Sequence, residues 1–192
     1  MIGMVILARS CYNSFLFSVI DGKEMFRNAR YKITMRNESD IPPEKGTYIL
    51  ILRLDQTVQM TIGRLGCFTM FAGYYAYVGS AFGTGGLKAR IEHHLETPER
   101  LRWHIDYLRR HSSPAEVWFS TESRKMEQEW ADALRHIPSF RILIPRFGSS
   151  EYHRSHITHL FYSKRKPSFE AFSTRMREQF DMPVQIQRIP LS

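Results

Sequence analysis

A phenol, a guanidinium and an imidazole follow one another at Tyr77, Arg90 and His94, with Gly83, Gly85 and Gly86 between the first two. Tyr77 closes a stretch from Gly73 in which aromatic and β-branched residues crowd together as in a strand, and Tyr75 and Tyr77 share one face of it. The glycines permit positive φ and break the strand. Beyond them Leu87, Ile91 and Leu95 make one apolar helical stripe, while Lys88 and Glu92 point to solvent. Arg90 and His94 lie four apart, one above the other at the edge of that stripe. A cation and an imidazole held below a tyrosine-bearing strand and an open glycine turn could surround an anion. The glycine spacing is not that of a P-loop, because no Lys-Ser or Lys-Thr pair follows Gly86.

Taken together, Gly46-Thr47-Tyr48 on one expected strand and Tyr77-Val78-Gly79 on a later one resemble the paired signature of the GIY-YIG nucleases. The closer resemblance is to the small stand-alone branch sometimes called Uri-type endonucleases. Its members carry the same long insert between the signatures and an Arg-Trp-His-Ile-Asp-Tyr-Leu run, here Arg102 to Leu108. The similarity spans Lys45 to Tyr162 and implies a metal-dependent endonuclease acting on DNA, with structured, branched or damaged DNA as the expected substrate. It implies Tyr48, Tyr77, Arg90 and His94 as catalytic residues, and Mg²⁺ or Mn²⁺ held by Glu127, with Glu129 as the alternative. Gly79, Ser80, Lys88 and His104 are the expected nucleic-acid contacts.

Phosphodiester hydrolysis needs a deprotonated water, neutralised phosphoryl oxygens and a stabilised leaving oxygen. A carboxylate can hold Mg²⁺, whose hard, largely water-filled shell suits phosphate oxygens. Arginine offers those oxygens a permanent bidentate donor. Tyrosine, with a reference pKa of about 10, becomes a base at neutral pH only where a nearby cation lowers that value. Tyr48 is the expected base, helped by Arg90 and the metal. His94 is expected to contact the phosphate or protonate the leaving oxygen near its natural pKa. Glu127 and Glu129 border opposite sides of the stripe Met126, Trp130, Ala133 and Ile137, so periodicity alone leaves both open.

Gly148 to Leu160 departs from the relatives: Glu151-Tyr152 and Arg154 stand where an Asp-Cys and a second cysteine are expected. His153, His156 and His159 recur every third residue, but without a defined geometry they read as loop histidines rather than a zinc site.

The 192 residues suit one domain with extensions, and 43% apolar with 13% aromatic content is globular rather than disordered. A formal charge of +8 favours a polyanionic partner, nucleic acid before an anionic membrane. Two cysteines, Cys11 and Cys67, make neither a disulfide framework nor a thiolate zinc site, in keeping with a reducing cytoplasm. No apolar run reaches the roughly 20 residues of a membrane span, and Ile2 to Ala8 reads poorly as a signal peptide. Selectivity would come from DNA shape or from a protein partner. The rival reading is a basic module that binds nucleic acid and has lost turnover.

The elements that must position these residues form an α+β domain, with a mixed, mainly antiparallel sheet flanked by helices and extra strands between the two signatures. Residues 1–42 read as an N-terminal extension, preceding a start at Met35 or adding an edge hairpin around Asp21-Gly22. Residues 43–162 form the domain and 163–192 a basic tail with an amphipathic helix at Ser168 to Phe180. Within the domain, strands are expected at Tyr48 to Leu54, Thr57 to Ile62, Phe68 to Ser80 (bent at Gly73), Glu116 to Ser120 and Ile142 to Ile144. Helices are expected at Leu87 to Glu96, at Leu101 to His111, and from a cap at Thr121 or Ser123 to Ile137.

Overall fold

The computed structural model describes residues 19–20, 23–24, 41–148, 158–180 and 184–191. The chain divides into two units, Met1–Arg30 and Tyr31–Ser192. In the first, β1 (Val19–Ile20) pairs antiparallel with β2 (Lys23–Glu24) across the Asp21-Gly22 turn signal, in a sheet of their own. Phe15 and Phe17, the other alternating residues there, lie outside the described residues.

The second unit is α+β. It contains β3 (Gly46–Leu54), β4 (Val58–Ile62), β5 (Gly66–Met70), β6 (Gly73–Ala81), α1 (Gly86–Leu95), α2 (His104–Arg109), β7 (Ser113–Ser120), α3 (Glu127–Arg135), β8 (Leu160–Ser163), α4 (Phe169–Phe180) and β9 (Gln187–Pro190). Five strands form a wholly antiparallel sheet in the order β8-β6-β3-β7-β9. Central β3 is apolar on both faces because both are covered. Tyr48, Leu50 and Leu52 pack with Tyr75, Tyr77 and Phe119 under α1 and α2. Ile49 and Ile51 pack with Trp118 under α3 and α4.

Several elements differ from expectation. The insert between the signatures does not extend the main sheet; β4 and β5 pair with each other as a separate hairpin. The strand expected from Phe68 to Ser80 is broken at Phe71-Ala72. Gly73 takes φ 145°, and Tyr162 Oη donates to the Ala72 carbonyl at 3.0 Å. Residues Ile142 to Ile144 form no strand; Arg141 alone bridges to Tyr162, and β8 takes the edge of β6. The strand expected at Glu116 to Ser120 starts earlier, at Ser113, and includes Pro114. Helix α2 starts later than expected because the Asp106 carboxylate accepts the amides of both Arg102 and Trp103 at 2.8 Å, closing a box around its first turn.

The segment after Ser163, expected to be a basic tail, is built into the domain. Phe169, Phe172 and Met176 of α4 stack on Trp118 and Trp130, and β9 pairs along β7. Glu170, Arg177 and Glu178 lie on the exposed face of the expected amphipathic helix, and its apolar stripe seals onto the domain. Among the described residues no helix is long and apolar enough to cross a membrane.

Candidate active site

The first signature is a packing device as much as a chemical one. At Gly46 a Cβ would meet the Ser120 carbonyl oxygen at 2.1 Å, so a side chain there would push β7 off β3. The Thr47 hydroxyl accepts the Met126 amide at 3.0 Å and fastens the start of α3, where the expected Thr121 or Ser123 cap makes no such bond. Tyr48 follows, with no exposed surface. In the register of β3 on β6 it faces Gly79 of the second signature, where a Cβ would lie 2.5 Å from the Tyr48 hydroxyl. Gly79 therefore makes room for a phenol.

The second phenol, Tyr77, lies on the same sheet face and keeps 8% of its surface exposed. Between the phenols comes the His94 ring, its centroid 6.0 Å from that of Tyr48 and 5.9 Å from that of Tyr77. His94 is held by its backbone: Arg109, buried below, donates to the His94, Leu95 and Ser112 carbonyls and caps the C-terminal end of α1. One turn earlier, the Arg90 guanidinium lies over the Trp103 ring, 4.1 Å from its centroid. The Tyr48 hydroxyl, Arg90 Nε and both His94 nitrogens are buried and make no hydrogen bond of ordinary length, although Arg90 lies close enough to exert a hydrogen-bonding pull on the Tyr48 hydroxyl.

Electrostatics tie Glu127 to this group. Burial pushes the Tyr48 hydroxyl well up, Tyr77 raises it further, Arg90 pulls it down, and Glu127 adds a smaller upward push. Burial likewise raises Tyr77 to about 12, with Arg90 opposing and Glu127 and Asp106 assisting. Glu129 instead pairs with Arg124 at 3.1 Å and bears on neither phenol, so the cleft is linked to Glu127. Burial lowers His94 to about 3, reinforced by Arg90, His93 and Arg109. Two expectations change. Burial outweighs the arginine, so Tyr48 is a neutral phenol in the free protein; His94 is a neutral imidazole well away from its natural pKa.

The expected nucleic-acid contacts fare unevenly. The amides at the start of α1 are not open to an anion, since Leu87 N donates to Glu44 O at 2.8 Å and Lys88 N to Pro42 O at 3.0 Å. The Lys88 side chain is exposed and pairs with Glu92 at 4.0 Å. Ser80 pairs with Thr47 across the strands and is partly exposed. His104 Nδ1 accepts the Gly148 amide at 3.2 Å, which makes this residue a brace for the loop beside Tyr77.

One residue was read differently from sequence. His159, taken for a loop histidine, is buried, and its backbone bonds to Phe147 and Val78 beside Tyr77. Burial lowers its pKa while Glu127 pulls it up, so it too belongs to the cleft. Its signal was the apolar Leu160-Phe161 that follows; His153 and His156 lie outside the described residues.

His93, His94 and Asp106 also place ligand atoms within 4.8 Å of one another. Asp106 already accepts two amides, and two guanidiniums bear on His94, so this corner favours an anion over a cation.

No curated protein and no solved structure matches the chain. Residues 47–182, running from the first signature through α4, match the family described as Domain of unknown function DUF123, and the chain belongs to that family.

Proposed function

We propose that this protein is an endonuclease of the GIY-YIG type, close to its Uri-like branch, which hydrolyses phosphodiester bonds in DNA with Mg²⁺ or Mn²⁺. The observation that supports this most is the gathering of unpartnered buried donors and acceptors on Tyr48, Arg90 and His94 in one cleft with Tyr77 and the charge of Glu127. Buried polar groups without partners are costly and rare. A cluster of them with a guanidinium suits a tetrahedral anion that supplies several acceptors at once.

Glu127 is half-buried and forms no ion pair among the described residues. It suits Mg²⁺, which takes one or two carboxylates and otherwise waters and phosphate oxygens. When bound, such an ion neutralises phosphoryl charge and acidifies a water. The remaining work falls to the chain's own groups. Arg90 holds phosphoryl oxygens and meets the charge that grows on them in the transition state. Both phenols are neutral near pH 7, so they orient water and phosphate by hydrogen bonds. Tyr77, the more exposed, is better suited than Tyr48 to meet the attacking water. A bound phosphate beside His94 raises its proton affinity, reversing the effect of Arg90, and the ring can then hold a proton for the leaving oxygen.

Labelled branched and linear DNA incubated with the purified protein tests this reading. Cleavage is expected with Mg²⁺ or Mn²⁺ and none with EDTA. Tight binding without cleavage in either metal would instead identify a nucleic-acid-binding module.

A further inference from the structure

Trp103 sits at the mouth of the cleft and is 36% exposed, whereas Trp118 and Trp130 have no exposed surface. Its position is fixed from below. Its amide donates to the Asp106 carboxylate, its carbonyl accepts the Asp106 amide at 3.1 Å, and the neighbouring Arg102 amide shares the same carboxylate. The indole is also surrounded by flat side chains, the two imidazoles meeting it edge-on. Arg90 lies over it at 4.1 Å, and the His93 and His94 rings approach at 4.8 and 5.8 Å. Holding an indole this rigidly at a wet surface costs apolar exposure that the core does not need, since the other two tryptophans are sealed inside.

We propose that Trp103 is a stacking platform for an unpaired nucleobase next to the phosphate held by Arg90. The inference rests on the nuclease reading and adds the substrate class to it. Arg90 links the two functions: a phosphate on the guanidinium brings the attached nucleoside within reach of the ring against which that guanidinium packs. Every base has a π-face, so a tryptophan platform is indifferent to sequence. It does require the base to be out of the duplex stack, which makes single strands, flaps and unpaired junctions the fitting substrates.

Trp103 is the one exposed tryptophan, so its fluorescence reports the contact directly. In EDTA, where no strand is cut, the full chain is titrated with a single strand of thymidines, a blunt duplex, and an abasic sugar-phosphate strand of equal length. Saturable quenching by the single strand, with little by the other two, is the expected result. In anisotropy measurements with labelled strands, Trp103→Ala should weaken single-strand binding by about 5- to 150-fold, the scale of one base stacked on an aromatic ring. Duplex binding should stay unchanged, and Trp103→Phe should recover part of the loss. Equal quenching by all three ligands would overturn the proposal, as would equal weakening of all three by Trp103→Ala, which would reduce Trp103 to a prop for Arg90. The two readings fail separately: if Mg²⁺ produces no cleavage while selective quenching persists, the platform stands and the nuclease does not.

Discussion

Glu116 and Tyr48 are both fully buried in the same sheet, on adjacent strands, and their polar atoms meet opposite fates. The Glu116 carboxylate is saturated. It accepts from Trp118 Nε1 at 2.8 Å, from Arg188 at both oxygens, and from Lys166 at 2.6 Å. Those bonds fasten β9 and the chain ahead of α4 to β7. The Tyr48 hydroxyl makes no hydrogen bond of ordinary length, only a longer approach from Arg90, and Arg90 Nε and the two His94 nitrogens nearby make none. The same fold can therefore satisfy a buried charge completely, and leaves the other cluster open. Trp130 Nε1, Ser173 Oγ, Arg175 Nε, Gln179 Oε1 and Gln187 Oε1 are open as well, so an open atom alone marks no site; the Tyr48 group is set apart by the convergence of a phenol, an imidazole and a guanidinium.

The contrast is tested first at Arg90. Arg90→Ala should lower cleavage by about a hundredfold to a thousandfold, the scale for losing a preorganised charge stabiliser. Its melting temperature should barely move, because Arg90 packs at the cleft surface. A similar loss of thermal stability would show that the open cluster is structural after all.

Next comes the saturated side. Glu116→Gln keeps the shape and removes the charge that its donors need, and should cost about 2 kcal/mol in urea unfolding, the scale of charged hydrogen bonds. Lys166 and Arg188 are half-exposed and can rehydrate, which keeps the figure below that of a fully sealed pair. Cleavage per folded molecule should not change.

Acid should separate the two clusters. Burial pushes the Glu116 carboxyl up, but Arg188, Lys166 and Trp118 outweigh it and hold the folded pKa below the ordinary range. Its stabilisation is present above the unfolded value of about 4.3 and is lost as pH falls through the folded one. For His94 the unfolded chain takes up a proton at about 6.5 and the folded chain only at about 3. Between those values the unfolded state binds more protons, so stability falls as pH drops from 6.5. His94→Gln should flatten the loss between pH 6 and 4.5, and Glu116→Gln the loss below 4. Interchanged windows would overturn the assignment.

The smallest effect is the most pointed. Tyr48→Phe removes a buried hydroxyl that makes no hydrogen bond of ordinary length, and should leave stability unchanged or raise it by about 0.5–1 kcal/mol. Cleavage should fall even so. A clear destabilisation would mean that the hydroxyl is bonded in solution.

Much of this was legible in the sequence. That each signature lies on a strand, and that Arg90 and His94 share one helix edge, follows from period and spacing; that the two strands are neighbours shows only in the register of β3 on β6. The hairpin between the signatures was not legible, since strand residues do not say which partner they take. The amphipathic helix at Ser168 to Phe180 was legible, but not the surface that its buried Phe169, Phe172 and Met176 cover, because an apolar stripe does not name its partner. The state of the site was least legible of all. Tyr48 and His94 could be named, but their protonation depends on burial, a property of the assembled core. Glu127 and Glu129 could be separated only once Arg124 was seen beside Glu129.

The role of Glu127 as metal ligand is read from single-turnover cleavage of a labelled flap substrate by the wild type and Glu127→Ala across a Mg²⁺ titration. Metal-saturable cleavage is expected of the wild type. In the variant a loss of about a hundredfold or more is expected, with DNA binding and melting temperature retained. Equal rates in the two proteins, or no cleavage by the wild type at any metal concentration while DNA remains bound, would contradict that role.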